Sequence, residues 1–446
     1  MVVGLGLLIL ATPFLPHLSM VGAEGWTLLD LALPPMACLC LWLCVVHRTL
    51  TPRLRQMSLL PAAMLFLVIL HVFTDPRLDE ILYQLTATRL PTGGFRLYYS
   101  IAVNVLLYYV APLVISDAAK LRRFQRIYLG FIIFQVVFTC LRIPLKIDKV
   151  PWDSYGSQIM AYDANSYWGE GLRLIVLGDM GMHLFIFALV FMSAGTRWRT
   201  VMMIAGMGSI LYSKGRAPML AALLVWVLYL VLERRRWMPA FLLMGGVGCV
   251  LGFFAVNTEL LEGLPATPKR FLSILAPDNP EYQSDTYSRR EMWDVQWYVI
   301  RRNPIWGSMN DFPVTADEDA KSSVRRGDTH GVYLGMAALF GVPVLLLWVV
   351  LVLRQVLRAY DLWRLNASNS EARRWGMWLF MLLVAYLFKY GTSGNAGGGY
   401  TDFFLLWALV DIAHKVVQRE AAPARTPLRG LPTLAASRSR SGAPTP

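Results

Sequence analysis

His330 stands in RRGDTHGVYLGM, directly ahead of an apolar run long enough to cross a bilayer. At a helix N-terminus the backbone dipole disfavours the imidazolium, and a neutral imidazole can accept a proton. Asp328 is near enough in sequence to orient the ring. A purely structural reading stands beside this one, in which His330 begins a helix capped by Asp328 or Thr329. Arg289 and Arg290 follow Ser288, which forms a capping-box pattern with Glu291. Two cations in a first helical turn oppose the dipole, so they call for an anionic partner. A diphosphate held by planar guanidinium groups would answer, as would a carboxylate of the same segment. Arg216 shares the tight turn YSKGRAP with Lys214, between apolar runs that leave it little access to water.

These residues need a scaffold, and the composition says which kind. Of 446 residues 56% are hydrophobic and only 16% charged, and the apolar residues gather in runs of membrane-spanning length flanked by Trp and Tyr. The net charge of +13 would suggest nucleic acid in a water-soluble chain. Here the basic residues fall in short loops between apolar runs, which is what membrane topology requires, so no nucleic-acid partner is expected. The five cysteines all lie inside apolar runs, where they read as packing residues.

The expected fold is all-α: a polytopic transmembrane helical bundle of about twelve spans. They lie near residues 2–22, 26–46, 57–74, 97–116, 126–145, 173–195, 199–213, 217–233, 237–257, 331–354, 375–391 and 398–415. The first has no basic leader region and no small-residue cleavage site, so it reads as uncleaved. Alternate loops, including HRTLTPRLRQ, KLRRFQR and ERRR, together with the tail, hold more than half of the 42 Lys and Arg. By the positive-inside rule these are cytoplasmic, and both termini lie inside. The chain then divides into nine N-terminal spans over 1–257, a long outer segment over 258–330, three C-terminal spans over 331–415, and a basic, Pro- and Ser-rich tail over 416–446 that reads as disordered. Within the outer segment a helix is expected near 288–303, with Trp293, Trp297 and Ile300 on one apolar face and Asn303-Pro304 ending it. It would lie on the outer membrane face.

With this topology, ionisable residues distant in sequence share one depth. Asp179, Lys214, Arg216, His330, Lys389 and Asp402 all fall at the outer boundary, beside the Gly-rich GTSGNAGGGY of 391–400. Charges at that depth mark a substrate site, or they snorkel toward headgroups. Lys214, Lys389, Asp179, Asp328 and Arg290 are accordingly candidate substrate-binding residues. The run Asp317-Glu318-Asp319 could hold a divalent cation but reads more simply as solvated carboxylates, so no metal or other cofactor is expected. The sequon Asn366-Ala367-Ser368 falls in a loop on the cytoplasmic side.

Three segments, in order, resemble the O-antigen ligase and polysaccharide polymerase superfamily of bacterial membrane glycosyltransferases. They are SKGRAPML, with Arg216; SRREMWDVQWYVIRRNPIWG, with Arg289, Trp293, Asn303, Pro304 and Gly307; and HGVYLGMAALFG, with His330, Leu334 and Gly341. The resemblance covers about residues 205–350. It departs from the family pattern at Gly331, where Asn is usual, and in having Lys214-Gly215 ahead of Arg216.

The resemblance implies an inverting, metal-independent transferase of the bacterial inner membrane, with its active site on the periplasmic face. Its donor would be a glycan on undecaprenyl diphosphate, with His330 as catalytic base and Arg216 and Arg289 stabilising the departing diphosphate. Gly331 inclines the reading toward a polymerase of exopolysaccharide or O-antigen. An O-antigen ligase passing the glycan to lipid A core is the alternative, and a protein O-oligosaccharyltransferase is a more distant one. A non-catalytic transporter or flippase of the same lipid-linked glycans is the reading of a different class. Expected partners are the lipid-linked donor, a glycan or lipid A core acceptor, membrane lipids, and chain-length regulator or export proteins.

Overall fold

The computed structural model describes residues 28–50, 57–74, 95–142, 175–193, 195–213, 216–233, 293–308, 331–365, 370–392 and 400–421, with short pieces elsewhere. In chain order the elements are α1 (Leu28–Val46), α2 (Leu60–Thr74), α3 (Phe95–Val114), α4 (Ala118–Arg142), the antiparallel pair β1 (Ala161–Tyr162) and β2 (Leu172–Arg173), α5 (Ile175–Phe191), α6 (Arg197–Tyr212) and α7 (Arg216–Leu232). Then follow α8 over residues 293–302, α9 (Val332–Phe340), α10 (Val342–Leu365), α11 (Ser370–Thr392) and α12 (Tyr400–Ala421). The fold is thus α-helical, apart from that two-residue pairing, among the described residues.

Most of these helices coincide with the apolar runs of the sequence, because a segment without water must satisfy its backbone groups internally. Pro34, Pro35 and Pro112 sit inside α1 and α3, a placement that packed neighbouring helices make tolerable. One helix among the described residues, α10, is long and apolar enough by itself to cross a bilayer, and α1, α2, α3, α5 and α7 contain shorter apolar stretches. These lengths establish the helical bundle but not twelve crossings. The expected spans at 2–22 and 237–257 fall largely outside the described residues.

The bundle surface fits a lipid surround. Trp42, Phe66, Trp198, Ile204, Leu346, Leu353 and Leu357 all face outward, and so many exposed large apolar side chains would be a liability in water. The interior is closed by aromatic residues: Trp348 of α10, Trp407 of α12 and Trp378 of α11 are fully buried, and the rings of Trp348 and Trp407 meet at 4.7 Å. Helix α11 occupies the centre and packs on α5, α7, α9, α10 and α12. Helices α5 and α6 approach through Gly181 and Gly206, where a Cβ on Gly181 would stand 2.6 Å from the Gly206 carbonyl oxygen. Small residues at that crossing bring the two backbones together.

One expectation is corrected. The run expected as one continuous span at 331–354 is two helices, because Gly341 (φ 87°) breaks it between α9 and α10. In α8 the face turned inward is Gln296, Val299 and Ile300, whereas Trp297 and Tyr298 are exposed. Trp293 and Trp297, expected on the apolar face of this helix, are both exposed, and Ile300 of the same stripe is buried.

Candidate active site

Helix directions define one end of the bundle as the site end: α6 finishes there, α7 and α10 begin there, and α11 finishes there. Two polar stripes face each other at this end. Asp179 and His183, one turn apart on α5, meet Tyr386, Lys389 and Tyr390 on α11. Lys389 Nζ donates to Asp179 Oδ2 at 2.6 Å and lies over the Tyr390 and Tyr386 rings, 4.9 and 5.4 Å from their centroids. Lys389 is buried, so the carboxylate and the two π faces take the place of its hydration. One turn deeper, His183 is hydrogen-bonded through Nδ1 to the Tyr128 hydroxyl at 2.6 Å and through Nε2 to the Tyr386 hydroxyl at 2.5 Å. A neutral imidazole has one donor and one acceptor, so one phenol donates to it and the other accepts.

Asp179 also lies close to the turn that carries Arg216. A Cβ on its neighbour Gly178 would stand 2.5 Å from Ser213 Oγ and 3.2 Å from Pro218 Cγ, the residues on either side of that turn. Arg216 is the first residue of α7; its side chain, and Lys214, lie outside the described residues.

The same C-terminal end of α11 reaches the segment of His330. A Cβ on Gly331, the residue after His330, would stand 3.8 Å from the Gly391 carbonyl oxygen and 3.8 Å from Trp293 Nε1. The Tyr333 hydroxyl donates to the Leu387 carbonyl at 3.0 Å, tying α9 to α11 two residues before Lys389. The N-cap of α9 is Gly331, which has no side chain to cap with. Asp328 and Thr329, the expected capping residues, lie outside the described residues.

Helix α8 runs alongside α9 in the same direction, because Trp293 adjoins Gly331 while Ile305 adjoins Gly341. Its far end is fastened backbone to backbone: Ser308 N–H donates to the Ala338 carbonyl and Val342 N–H to the Pro304 carbonyl, each at 2.8 Å. Gly307 (φ 64°) and Gly341 (φ 87°) both adopt left-handed backbone. A Cβ on Gly307 would stand 2.6 Å from the Leu339 carbonyl carbon, and one on Gly341 would collide with the Ile305 carbonyl. Only glycine fits at either position. The Asn303-Pro304-x-x-Gly307 piece and the Gly341 piece are thus two halves of one joint.

The structure therefore brings Asp179, Lys389, the flanks of Arg216, and the residue following His330 to one end of the bundle. His330, Asp328, Arg289, Arg290 and the Asp317–Asp319 run lie outside the described residues, as does the side chain of Asp402. Among the described residues no group of three His, Cys, Asp or Glu could hold a metal ion.

Several functional candidates escaped the sequence reading. His183 and Tyr386 were legible in principle, since each lies one helical turn from a residue already singled out. Gln296, buried in α8, has neither an amide donor nor an acceptor partner among the described residues. At the opposite half of the bundle, Asp411 of α12 is fully buried. It accepts hydrogen bonds from Arg358 and Tyr108, and from Gln355 Nε2 at 3.1 Å, with Arg354 Nη1 at 3.7 Å. This network joins α3, α10 and α12; the signal was an aspartate in the middle of an apolar run. Glu233 similarly holds Arg373 at 2.8 Å and the Trp363 indole at 3.1 Å.

Residues 200–349 match the O-antigen ligase family. The matched stretch contains all three segments whose resemblance was noted, and it supports the O-antigen ligase and polymerase superfamily. No curated protein matches the chain significantly.

Proposed function

We propose that the protein is an inner-membrane glycosyltransferase, most specifically a polysaccharide polymerase. It moves a glycan from undecaprenyl diphosphate to an acceptor hydroxyl at the periplasmic face. The observation that carries this reading is the docking of α8 along α9. Docking sets Trp293, four residues after Arg289, against Gly331, the residue after His330. The flanks of Arg216 lie at the same end of the bundle.

In this reading His330 takes the proton of the acceptor hydroxyl as its oxygen attacks the anomeric carbon. The bond from that carbon to the diphosphate oxygen breaks on the opposite face, which inverts the configuration. Arg216 and Arg289, assisted by Arg290 and Lys214, hold the diphosphate and stabilise the charge that develops on the leaving oxygen. Undecaprenyl diphosphate departs, and His330 passes its proton to water. The polyprenyl tail lies among the helices while the sugars remain in the aqueous space.

The ligase reading is favoured by the family match itself, whose description is O-antigen ligase. The two enzymes differ only in acceptor. Purified full-length protein given undecaprenyl-diphosphate oligosaccharide should lengthen the glycan with that donor alone. Growth only when lipid A core is added would establish the ligase instead. No transfer to either, with donor still bound, would remove both enzymes and leave the transporter. His330→Gln should lower transfer by about 10²- to 10⁴-fold, the usual range for loss of a general base. It should leave donor binding and the unfolding temperature unchanged, as should Arg216→Ala for the unfolding temperature; full activity in both variants would refute the assigned roles.

A further inference from the structure

Resting on the glycosyltransferase reading, we propose that Asp179 is a specificity-determining residue that accepts a hydrogen bond from a sugar hydroxyl, and that Lys389 is the residue that positions it. The carboxylate is half engaged. Oδ2 receives the Lys389 ammonium at 2.6 Å, whereas Oδ1 is buried and has no hydrogen-bond partner among the described residues. A buried acceptor left unpaired is unfavourable, and its retention points to a partner that arrives with the ligand.

The chemistry of that partner follows from the charge. In its ion pair with Lys389 the group is a carboxylate, which can only accept. The ligand group must therefore donate. A diphosphate offers no donor and would be repelled, so Asp179 belongs to the sugar side of the substrate. Its place agrees: Gly178 abuts Ser213 and Pro218 around the Arg216 turn, and Gly391, two residues after Lys389, lies beside Gly331. Asp179 thus lies between the turn assigned to the diphosphate and the segment assigned to the base, where a sugar ring must sit.

Lys389 fixes which oxygen is free. Its own position is set by Tyr386 and Tyr390, and Tyr386 is in turn held by His183. The recognition element is therefore built on two packed helices, which keeps a hydroxyl acceptor in fixed geometry.

The test is a thermodynamic cycle with full-length protein, its undecaprenyl-diphosphate oligosaccharide donor, and monodeoxy versions of the donor's sugars. One monodeoxy donor should lower the wild-type kcat/KM by about 10- to 100-fold, the range for a hydrogen bond to a charged group. In Asp179→Leu/Lys389→Met, an apolar pair in place of the ion pair, the same deoxygenation should change kcat/KM by less than about twofold. Asp179→Asn, which keeps the shape and removes the charge, should reduce the penalty to about threefold and serves if the double variant does not fold. Lys389→Arg should retain the full wild-type penalty. If both Asp179 variants keep the wild-type penalty on every analogue, the assignment of Asp179 is overturned while the transferase reading stands. If the wild type transfers nothing, the transferase reading itself falls.

Discussion

Gly307 and Gly341 are so close that a Cβ on Gly307 would stand 2.7 Å from the Gly341 amide nitrogen. They are 34 residues apart in sequence, and both adopt backbone that other residues rarely enter. Their contact fastens α8 to the break between α9 and α10, and so fixes where Trp293 and Gly331 meet.

Gly341→Ala should therefore destabilise the protein by about 2 kcal/mol or more, through backbone strain and the collision with Ile305. Thermal unfolding in detergent would measure the loss, and glycan transfer should fall with it. An unfolding temperature within a degree of wild type would show that the joint tolerates a side chain and that the docking is not held there.

Gly331 has extended backbone (φ 178°) that any residue can adopt, and its nearest neighbours stand at ordinary contact distance from a Cβ. Gly331→Asn should accordingly fold with a change of no more than about 0.5 kcal/mol, as for most unstrained substitutions. Transfer of glycan to donor against transfer to lipid A core then tests whether this position sets the acceptor. A variant that unfolds would show that glycine is required for packing.

Gln296→Leu should raise stability by about 1 kcal/mol, because it removes a buried amide whose donor and acceptor are both unpaired among the described residues. A higher unfolding temperature is the expected result. A lower one would mean that the amide is paired in the folded protein.

Asp411→Leu should be among the most damaging single changes outside the site, by about 3 kcal/mol or more. It leaves Arg358 partly buried without its carboxylate and removes the acceptor for Tyr108 and Gln355. Adding Arg358→Met should recover part of the loss, and unfolding temperatures of the single and double variants read the coupling directly. Strict additivity would show that the two residues do not interact.

Much of the helical layout was legible because apolar runs and their aromatic borders report where a backbone must satisfy itself without water. The depth argument that gathered Asp179, Lys389 and the flanks of Arg216 also agrees with their placement at one end. The inward face of α8, Gln296, Val299 and Ile300, depends on the helix packed against it and has no local signature. The Asp411 network is not legible in the sequence, since its four partners come from two other helices, α3 and α10, whose adjacency to α12 no local pattern encodes.

By itself the sequence determined that this chain forms a helical bundle with an apolar exterior, that cationic residues and a histidine stand at its helix ends, and that three of its segments resemble one family of glycan-transferring enzymes. Only the tertiary structure decided that Lys389 is paired with Asp179 across 210 residues, that one oxygen of that carboxylate is left without a described partner, and that two motif glycines form a single joint. Hydropathy and turn chemistry act over a few residues and survive in the sequence as periodicity. Ion pairs and backbone contacts between helices depend on which faces pack together, and that is settled by close packing of the whole bundle.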